Sequence, residues 1–272
     1  MKKNGFIATS LIYSFFLAFV ALVSVILATY SYYRTILNTL NKDILSSLNT
    51  EIQSKYITLE NLIQNGSFED GTNKWGSQVN VEIPASSENI SAHGANSLRL
   101  NTGNYTANSQ VQQPVVVPNN IASISGTHTY YLRFRIFRNG NLVFSGGDAN
   151  AYANISAAPD SKIGLGGVFA NWSLASMIVT ESAASNITVN FTANNSVLDH
   201  QGVTDTDAGG RALSVYIDDV MLIDVTELSS KLGLSGDALK NRLDGTNCGA
   251  TDWDCQNHKL EYFDNKYSYE LD

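Results

Sequence analysis

Residues 130–137, Tyr-Tyr-Leu-Arg-Phe-Arg-Ile-Phe, show the clearest alternation in the chain. A period of two places successive side chains on opposite faces of a strand. The alternation predicts that one set of side chains faces a core (Tyr130, Leu132, Phe134 and Ile136) and that the other faces outward (Tyr131, Arg133, Arg135 and Phe137). The following residues 138–141, Arg-Asn-Gly-Asn, form a turn signal.

Similar short runs of β-branched and aromatic residues recur on both sides of this strand, separated by Gly, Asn, Ser and Pro. They lie at residues 79–83, 97–100, 176–179, 187–191 and 213–217. Many short strands with polar turns are typical of a two-sheet antiparallel sandwich. Residues 145–167 are rich in Gly and Ala, and we assign them no strand. The predicted sandwich spans residues 61–226, and residues 227–272 are expected to form short helices and a tail.

The N-terminal part has a different character. Residues 6–33 are almost entirely apolar, and Lys2, Lys3 and Arg34 are the only charged residues before Lys42. About 20 apolar residues suffice to cross a bilayer. The basic residues on the N-terminal side place the N-terminus in the cytoplasm and the rest of the chain outside.

Helical apolar spacing continues beyond this span. Apolar residues recur every three or four positions through Leu37, Leu40, Ile44, Leu48, Ile52, Tyr56 and Leu59. This spacing predicts one helix over residues 6–60, roughly 80 Å long. Successive apolar positions are about 3.7 residues apart on average, and a left-handed coiled coil needs a spacing of about 3.5. The spacing therefore favours packing of the helix against the chain's own domain or against neighbouring subunits.

Charge and cysteine content restrict the partners. The 272-residue chain has 25 acidic against 17 basic side chains, which argues against nucleic acid, because a phosphate-binding face needs clustered Lys and Arg. Cys248 and Cys255 are the only cysteines. Outside the cytoplasm they are expected to form a disulfide. A metal pair with His258 is the alternative, although it lacks a fourth zinc ligand.

The first residues resemble the leader of type IV prepilins. A short basic stretch, Lys2-Lys3-Asn4, precedes Gly5-Phe6 and the long apolar helix. The resemblance implies cleavage after Gly5, methylation of Phe6, and packing of the helix in a filament. The family's usual Glu at the fifth mature position is Ser10 here. An uncleaved signal anchor and a conventional secretory signal peptide are the alternatives.

A second resemblance begins at residue 61. Residues 61–71, Asn-Leu-Ile-Gln-Asn-Gly-Ser-Phe-Glu-Asp-Gly, resemble the opening of galactose-binding-like jelly rolls, especially carbohydrate-binding modules of the family 4/9 type. Residues 91–100, 110–113 with 129–132, and 215–222 resemble three later blocks of that family in the correct order. The resemblance implies a jelly-roll sandwich, although this fold serves many functions.

Three carboxylates are candidate metal ligands. Glu69 follows the opening turn, and Asp218 and Asp219 lie on the strand expected beside it. Converging carboxylate and carbonyl oxygens suit a hard cation, and the resembling modules hold a structural calcium here. Glu69 and Asp218 are therefore the predicted ligands, with Asp219 as a weaker candidate. The alternative is that all three cap turns and meet solvent.

Four residues are candidates for a ligand-binding face, because alternation leaves them outward on or near the long strands: Tyr105, Tyr131, Arg133 and Arg135. Ordinary solvated residues or contacts with the helix would give the same pattern. Trp75 and Trp172 are expected to fill the core. No catalytic triad spacing, nucleophile elbow or phosphate-binding loop occurs in the sequence.

Taken together, these features predict a mainly β protein, with an antiparallel jelly-roll sandwich on a membrane-spanning, pilin-like helix. The expected function is non-catalytic: a filament subunit or adhesin at the cell surface. The alternative is a signal-anchored lectin that binds glycans without assembling. A hydrolase is the third class, and no residues remain to form its catalytic domain.

Overall fold

The computed structural model describes residues 4–85, 90–100, 108–118, 126–138, 151–165, 171–182, 186–193, 215–248, 256, 259–260 and 266–271. The chain divides into two compact units, residues 1–56 and residues 57–272. Each unit has its own organisation.

The first unit is a single helix, α1, spanning Asn4–Lys55. Its large apolar side chains are exposed from Leu11 to Leu48. Of the helices that the structure describes, α1 alone has the length and apolar composition to cross a membrane. Length and composition of this kind are typical of a membrane anchor or a signal sequence.

The helix ends five residues earlier than predicted. Residues 56–60 form strand β1 (Tyr56–Glu60), in which Ile57 and Leu59 are buried between exposed neighbours. Tyr56 and Leu59 satisfy the helical spacing, but Ile57 and Leu59 also satisfy the alternation of a strand. Packing of these two side chains in the second unit decides between the two patterns, because tertiary contacts override weak local preferences.

The second unit contains eleven further described strands and two helices. The strands are β2 (Gly76–Val79), β3 (Val81–Glu82), β4 (Leu98–Leu100), β5 (Ser109–Val116), β6 (Thr127–Arg138), β7 (Ala151–Ile155), β8 (Ile163–Gly164), β9 (Ser173–Ser182), β10 (Asn186–Ala193), β11 (Val215–Asp224) and β12 (Lys266–Glu270). The helices are α2 (Thr226–Leu232) and α3 (Gly236–Asp244).

Ten of these strands form two five-stranded sheets. Sheet one has the order β3-β4-β11-β6-β9, and sheet two has the order β2-β5-β10-β7-β8. The pairs described within both sheets are antiparallel. The protein is therefore mainly β, with an antiparallel jelly-roll sandwich after a long N-terminal helix, as predicted.

The core lies between the two sheets. The four inward residues predicted for β6 all belong to it, and they are almost completely buried. Phe134 meets Phe191 of sheet two edge to face, with ring centroids 5.0 Å apart. Trp75 also lies in this core, beside Phe68 and Phe191. The prediction for Trp75 is confirmed.

A second layer covers the outer face of sheet one. Its buried residues form a separate apolar cluster: Ile57, Leu59, Tyr131, Ile223, Val225, Leu228, Leu239, Leu243, Leu260 and Tyr269. They come from β1, β6, β11, the two helices and the C-terminal tail, and β1 pairs with β12. The residues after the sandwich thus return to cover one of its two faces.

The opening motif joins the start of the sandwich to β11. The side-chain oxygen of Asn61 accepts hydrogen bonds from the main-chain N–H groups of Ile63 and Leu222, at 3.1 Å each. The main-chain oxygen of Gly66 accepts from Val220 N–H at 3.0 Å. A side chain at Gly66 would place its Cβ 2.1 Å from the Val220 oxygen. Only glycine fits where these two chain segments meet.

Candidate functional site

Two of the four predicted ligand-binding residues are buried. Tyr131 and Arg133 do point away from the sandwich core, as the alternation predicted, but they are 0% and 3% exposed. The second layer covers them, and Arg133 donates a hydrogen bond to the main-chain oxygen of Leu260. The expectation that these two side chains lie open on the sheet surface is therefore wrong, and ligand binding by them stays an untested prediction. Arg135 is half-buried, and Tyr105 lies outside the described residues.

Tyr131 belongs to a buried polar cluster at Asp244. The Asp244 carboxylate accepts hydrogen bonds from the Tyr131 hydroxyl at 2.5 Å and the Ser176 hydroxyl at 2.6 Å. Lys240 donates to the same carboxylate at 2.7 Å. Burial, and then the charge of Asp244, raise the pKa of Tyr131 well above its ordinary value. Tyr131 therefore stays protonated and acts as a donor that holds α3 to sheet one.

The three predicted metal ligands contact one loop, residues 91–96. Glu69 Oε1 accepts hydrogen bonds from the N–H groups of Ala95 and Asn96, at 2.8 and 2.9 Å. Asp218 Oδ2 accepts from the N–H groups of Ala92 and His93, at 2.8 and 3.1 Å. These carboxylates fix the loop to the sandwich.

Asp219 lies beside the same loop. Its Oδ1 is 3.9 Å from His93 Nδ1, and its backbone is left-handed, with φ of 53°. The bulge between Asp218 and Met221 in the pairing of β11 with β6 accounts for this turn of the backbone.

The donor chemistry of these residues fits a hard cation, but the oxygens of Glu69 and Asp218 described above already bind main-chain amides. Among the described residues, no three His, Cys, Asp or Glu side chains are placed to hold a metal ion together. A structural calcium at Glu69, Asp218 and Asp219 therefore stays a prediction.

The pH dependence of stability tests this site. Burial, and then the neighbouring Asp219, raise the pKa of Asp218 from 3.8 to about 7, against the opposing effect of three main-chain hydrogen bonds. Since the folded-state pKa lies above the unfolded value, the folded chain binds more protons between these two pH values. In calcium-free buffer we expect the free energy of unfolding to fall by a few kcal/mol as pH rises from about 4 to about 7.

Denaturant titrations at several pH values measure this slope, and Asp218→Asn should flatten it relative to the unaltered protein. The same titrations with added calcium test the predicted ion. Calcium at Asp218 requires the ionised carboxylate, so it would make stability rise with pH instead. A variant slope equal to that of the unaltered protein would show that Asp218 is not the titrating group.

Several other predicted residues stay untested. Gly5 and Phe6 lie in the first turns of α1, and their backbone positions say nothing about cleavage. Cys248 is not a free thiol, but Cys255 lies outside the described residues, so the pairing stays a prediction.

Trp172 is half-buried and stands outside the main core. Its ring packs on Phe137, with centroids 5.6 Å apart. Phe137 in turn meets Tyr216 at 5.9 Å. These three rings lie on the outward side of sheet one, so the expectation that Trp172 fills the core between the sheets is wrong.

The outer face of sheet two, which we call the free face, was not predicted as a site. Its strands bury Val111, Val189 and Phe191 in the core, so the alternate residues point away from the core. These are Gln110, Gln112, Pro114, Val116, Tyr152, Asn154, Thr188, Asn190 and Thr192. The second apolar layer includes no residue of sheet two, as far as the structure describes it.

The free face has an ordered arrangement of side chains. Strand register places Gln112 beside Asn190, and Asn190 beside Asn154. Asn190 donates a hydrogen bond to the Asn154 side-chain oxygen at 3.2 Å. Asn154 is itself buried, and its amide nitrogen donates to the main-chain oxygen of Pro159 at 3.2 Å. The next row contains Gln110, Thr192 and Tyr152 in the same order. Amide groups thus cross three neighbouring strands, with a tyrosine ring in the adjacent row.

The five strands of sheet two, as described, contain no Asp, Glu, Lys, Arg or His. Sheet one differs sharply, because β6 and β11 alone contribute four basic and three acidic residues: His128, Arg133, Arg135, Arg138, Asp218, Asp219 and Asp224. As far as it is described, the free face therefore offers neutral hydrogen-bonding groups, one aromatic ring and the exposed apolar side chains of Pro114 and Val116. This combination suits a neutral ligand with many hydroxyl groups.

No protein-family model matches this chain, and no curated protein matches it. Solved structures that match include a family 16 carbohydrate-binding module, at 16% identity and a TM-score of 0.38, covering 60% of this chain and 99% of that module.

Two further matches are of the same kind. A family 61 carbohydrate-binding module solved with β-1,4-galactotriose has 18% identity and a TM-score of 0.37, covering 60% of this chain and 97% of that one. A xylan-binding domain from Paenibacillus barcinonensis has 15% identity and a TM-score of 0.35, and the match covers 58% of this chain and 97% of that domain. The fold assigned above rests on the sheet topology, and the site rests on its own side chains.

Proposed function

We propose that this chain is a membrane-anchored, non-catalytic surface protein whose jelly roll binds glycans on the free face of sheet two. The observation that carries the proposal is the charge-free sheet, in which the half-buried Gln112 and Asn190 lie in one row beside Tyr152 in the next. Asn154, at the end of the first row, is buried and supports Asn190. The other broad face of the sandwich is the outer face of sheet one, and the second layer covers it around Tyr131.

The chemistry of the free face suits sugars. Amide side chains carry both donors and an acceptor, so they can match the hydroxyl groups of a sugar. A tyrosine ring adds an apolar surface on which a sugar ring can stack. Glycoside hydrolysis ordinarily uses a pair of carboxylates beside the bond that breaks. The described strands of sheet two offer neither an Asp nor a Glu, which favours binding without turnover.

The anchor in this proposal is α1. Its exposed apolar surface and its length suit a bilayer, and Lys2 and Lys3 favour a cytoplasmic N-terminus. The jelly roll would then lie outside the cell, where glycans occur.

A glycan array tests the proposal. We expect full-length protein, reconstituted in phosphatidylcholine nanodiscs to avoid sugar-based detergents, to bind at least one oligosaccharide family. Asn190→Ala should weaken that binding about tenfold, because it removes a hydrogen-bonding group from the centre of the face. Asn171→Ala, at an exposed position just before β9 of sheet one, is the matched control and should bind normally. Absence of binding to every glycan would overturn the proposal.

Assembly into a filament is a second candidate function. The observation that favours it is the length of α1: exposed apolar residues continue past residue 33 through Leu37, Leu40, Ile44 and Leu48. A helix of 52 residues is more than twice as long as a bilayer requires. The apolar side chains outside the membrane would gain by packing against the same helix of neighbouring subunits.

The mature N-terminus tests this second candidate. We expect intact-mass analysis of protein purified from its native cells to show a chain that begins at methylated Phe6. Gly5→Val, which blocks cleavage after a glycine, should retain Met1 and leave the protein in the membrane. A native protein that retains Met1 contradicts the filament function and leaves the surface lectin intact.

A further inference from the structure

One positively charged side chain lies over the aromatic residue of the free face. Lys162 precedes β8, and its Nζ is 4.3 Å from the centroid of the Tyr152 ring on β7. Tyr152 pairs with Gly164 of β8 and with Thr192 of β10. Gly164, the neighbour on β8, has no side chain, so the Lys162 side chain can reach the Tyr152 ring from that side.

Lys162 is an exposed residue. None of the ion pairs described in the structure includes Lys162, although the exposed Asp160 lies two residues away. Its described contact is with the ring face, where a cation is attracted by the π-electrons. The flexible four-carbon stem lets the ammonium move from the ring face to its edge.

This arrangement places a charge at one end of an otherwise neutral surface. The rows of the free face run across β5, β10 and β7, so a glycan lying along a row reaches Tyr152 at its β7 end. A sugar ring stacked on Tyr152 would bring its exocyclic substituent close to Lys162. A neutral substituent gains little from an ammonium there, whereas an anionic substituent gains a charge-assisted hydrogen bond.

We propose that Lys162 and Tyr152 form a subsite for an acidic sugar residue, one that bears a carboxylate or sulfate group, at the β7–β8 end of the bound glycan. This inference rests on the proposed glycan-binding function and specifies the class of glycan.

Matched pairs of oligosaccharides test the subsite. The probes are a galacturonic acid hexamer with its fully methyl-esterified form, and a sulfated galactan oligosaccharide with its desulfated form. Binding is measured with the full-length protein in phosphatidylcholine nanodiscs. We expect at least one acidic probe to bind about fivefold more tightly than its neutral partner at low salt, and the preference to shrink as salt rises.

The variants separate charge from stacking. Lys162→Gln keeps most of the side-chain length and should abolish the acidic preference while neutral binding is unchanged. Tyr152→Phe retains the ring and should retain the preference for the acidic probe. Tyr152→Ala should weaken the binding of both the acidic and the neutral probe of a pair. Lys231→Gln, at an exposed lysine of α2 paired with Glu227, is the charge-matched control and should behave like the unaltered protein.

The outcomes distinguish the two proposals. Equal binding of both members of each pair, with no effect of Lys162→Gln, overturns the acidic subsite and leaves glycan binding in place. Loss of the preference in Lys231→Gln also overturns it, because the effect would then reflect net charge. If no probe and no glycan of the array binds, the proposed function itself fails.

Discussion

Gly66→Ala should destabilise the jelly roll strongly, although it adds a single methyl group. The new Cβ would lie 2.1 Å from the main-chain oxygen of Val220, far inside van der Waals contact. Moving the Gly66 segment away from β11 would break hydrogen bonds, because Val220 N–H donates to the Gly66 oxygen and Leu222 N–H donates to the Asn61 side chain. We expect a loss of about 3 kcal/mol in the free energy of unfolding, the upper end for overpacked sites.

Thermal unfolding measures this effect, with an expected fall in melting temperature of roughly 6 to 12 °C. Gly76→Ala is the matched control, since a Cβ at Gly76 meets nothing within 4 Å and should change stability by less than about 0.5 kcal/mol. Equal melting temperatures for the two variants would contradict the close approach of residue 66 to β11.

Asp244→Ala should release the second layer from sheet one. The carboxylate is the shared acceptor for Tyr131, Ser176 and Lys240, and its side chain is 2% exposed. Removing it leaves the buried Tyr131 hydroxyl and the half-buried Ser176 hydroxyl without their acceptor. A buried hydroxyl without a partner costs about 1 to 3 kcal/mol, and a half-buried one costs less. We expect the free energy of unfolding to fall by about 3 kcal/mol in total. We also expect α3 to open locally, which would expose Tyr131.

Hydrogen exchange of the α3 amides and limited proteolysis after residue 225 detect this opening. Asp237→Ala removes an exposed carboxylate from the first turn of the same helix and should cost less than about 1 kcal/mol. The account of the second layer fails if α3 exchanges no faster in Asp244→Ala than in Asp237→Ala.

The strand pattern was predictable because it is local. A period of two in residues 130–137 decides which side chains share a face, and the structure confirms the four inward residues of β6. The same pattern cannot show whether the outward face is covered. The hydrogen-bond partners that cover Tyr131 and Arg133 are Asp244 and Leu260, more than 110 positions later. Ile57 and Leu59 of the same layer lie more than 70 positions earlier, and no local periodicity encodes these contacts.

The proposed binding face is not evident from the sequence, for a different reason. Strand β7 lies in a Gly- and Ala-rich region, and its sequence Ala-Tyr-Ala-Asn-Ile alternates small residues with polar ones. Small inward residues give a weak apolar signal, so residues 145–167 received no strand. Yet β7 supplies Tyr152 and Asn154 to the free face. The alternation of Tyr152 and Asn154 with alanines was the available signal.

The candidate metal ligands show what a motif can and cannot predict. The sequence blocks indicated that Glu69 and Asp218 belong to neighbouring segments, and both contact the loop at residues 91–96. The motif did not show that main-chain amides bind their oxygens, because hydrogen-bond geometry depends on the loop's conformation. Gly94 illustrates this dependence, since its Cβ would lie 2.3 Å from Glu69 Oε1.

In the proposed function, the glycan lies on the free face of sheet two. Isothermal titration of full-length protein in nanodiscs with its tightest array ligand tests this placement, by comparing Tyr152→Ala with Arg135→Ala. Arg135 is the half-buried outward residue of sheet one. We expect Tyr152→Ala to weaken binding about tenfold or more and Arg135→Ala to leave it unchanged. Weakened binding in Arg135→Ala with normal binding in Tyr152→Ala would place the ligand on the other sheet and contradict the account.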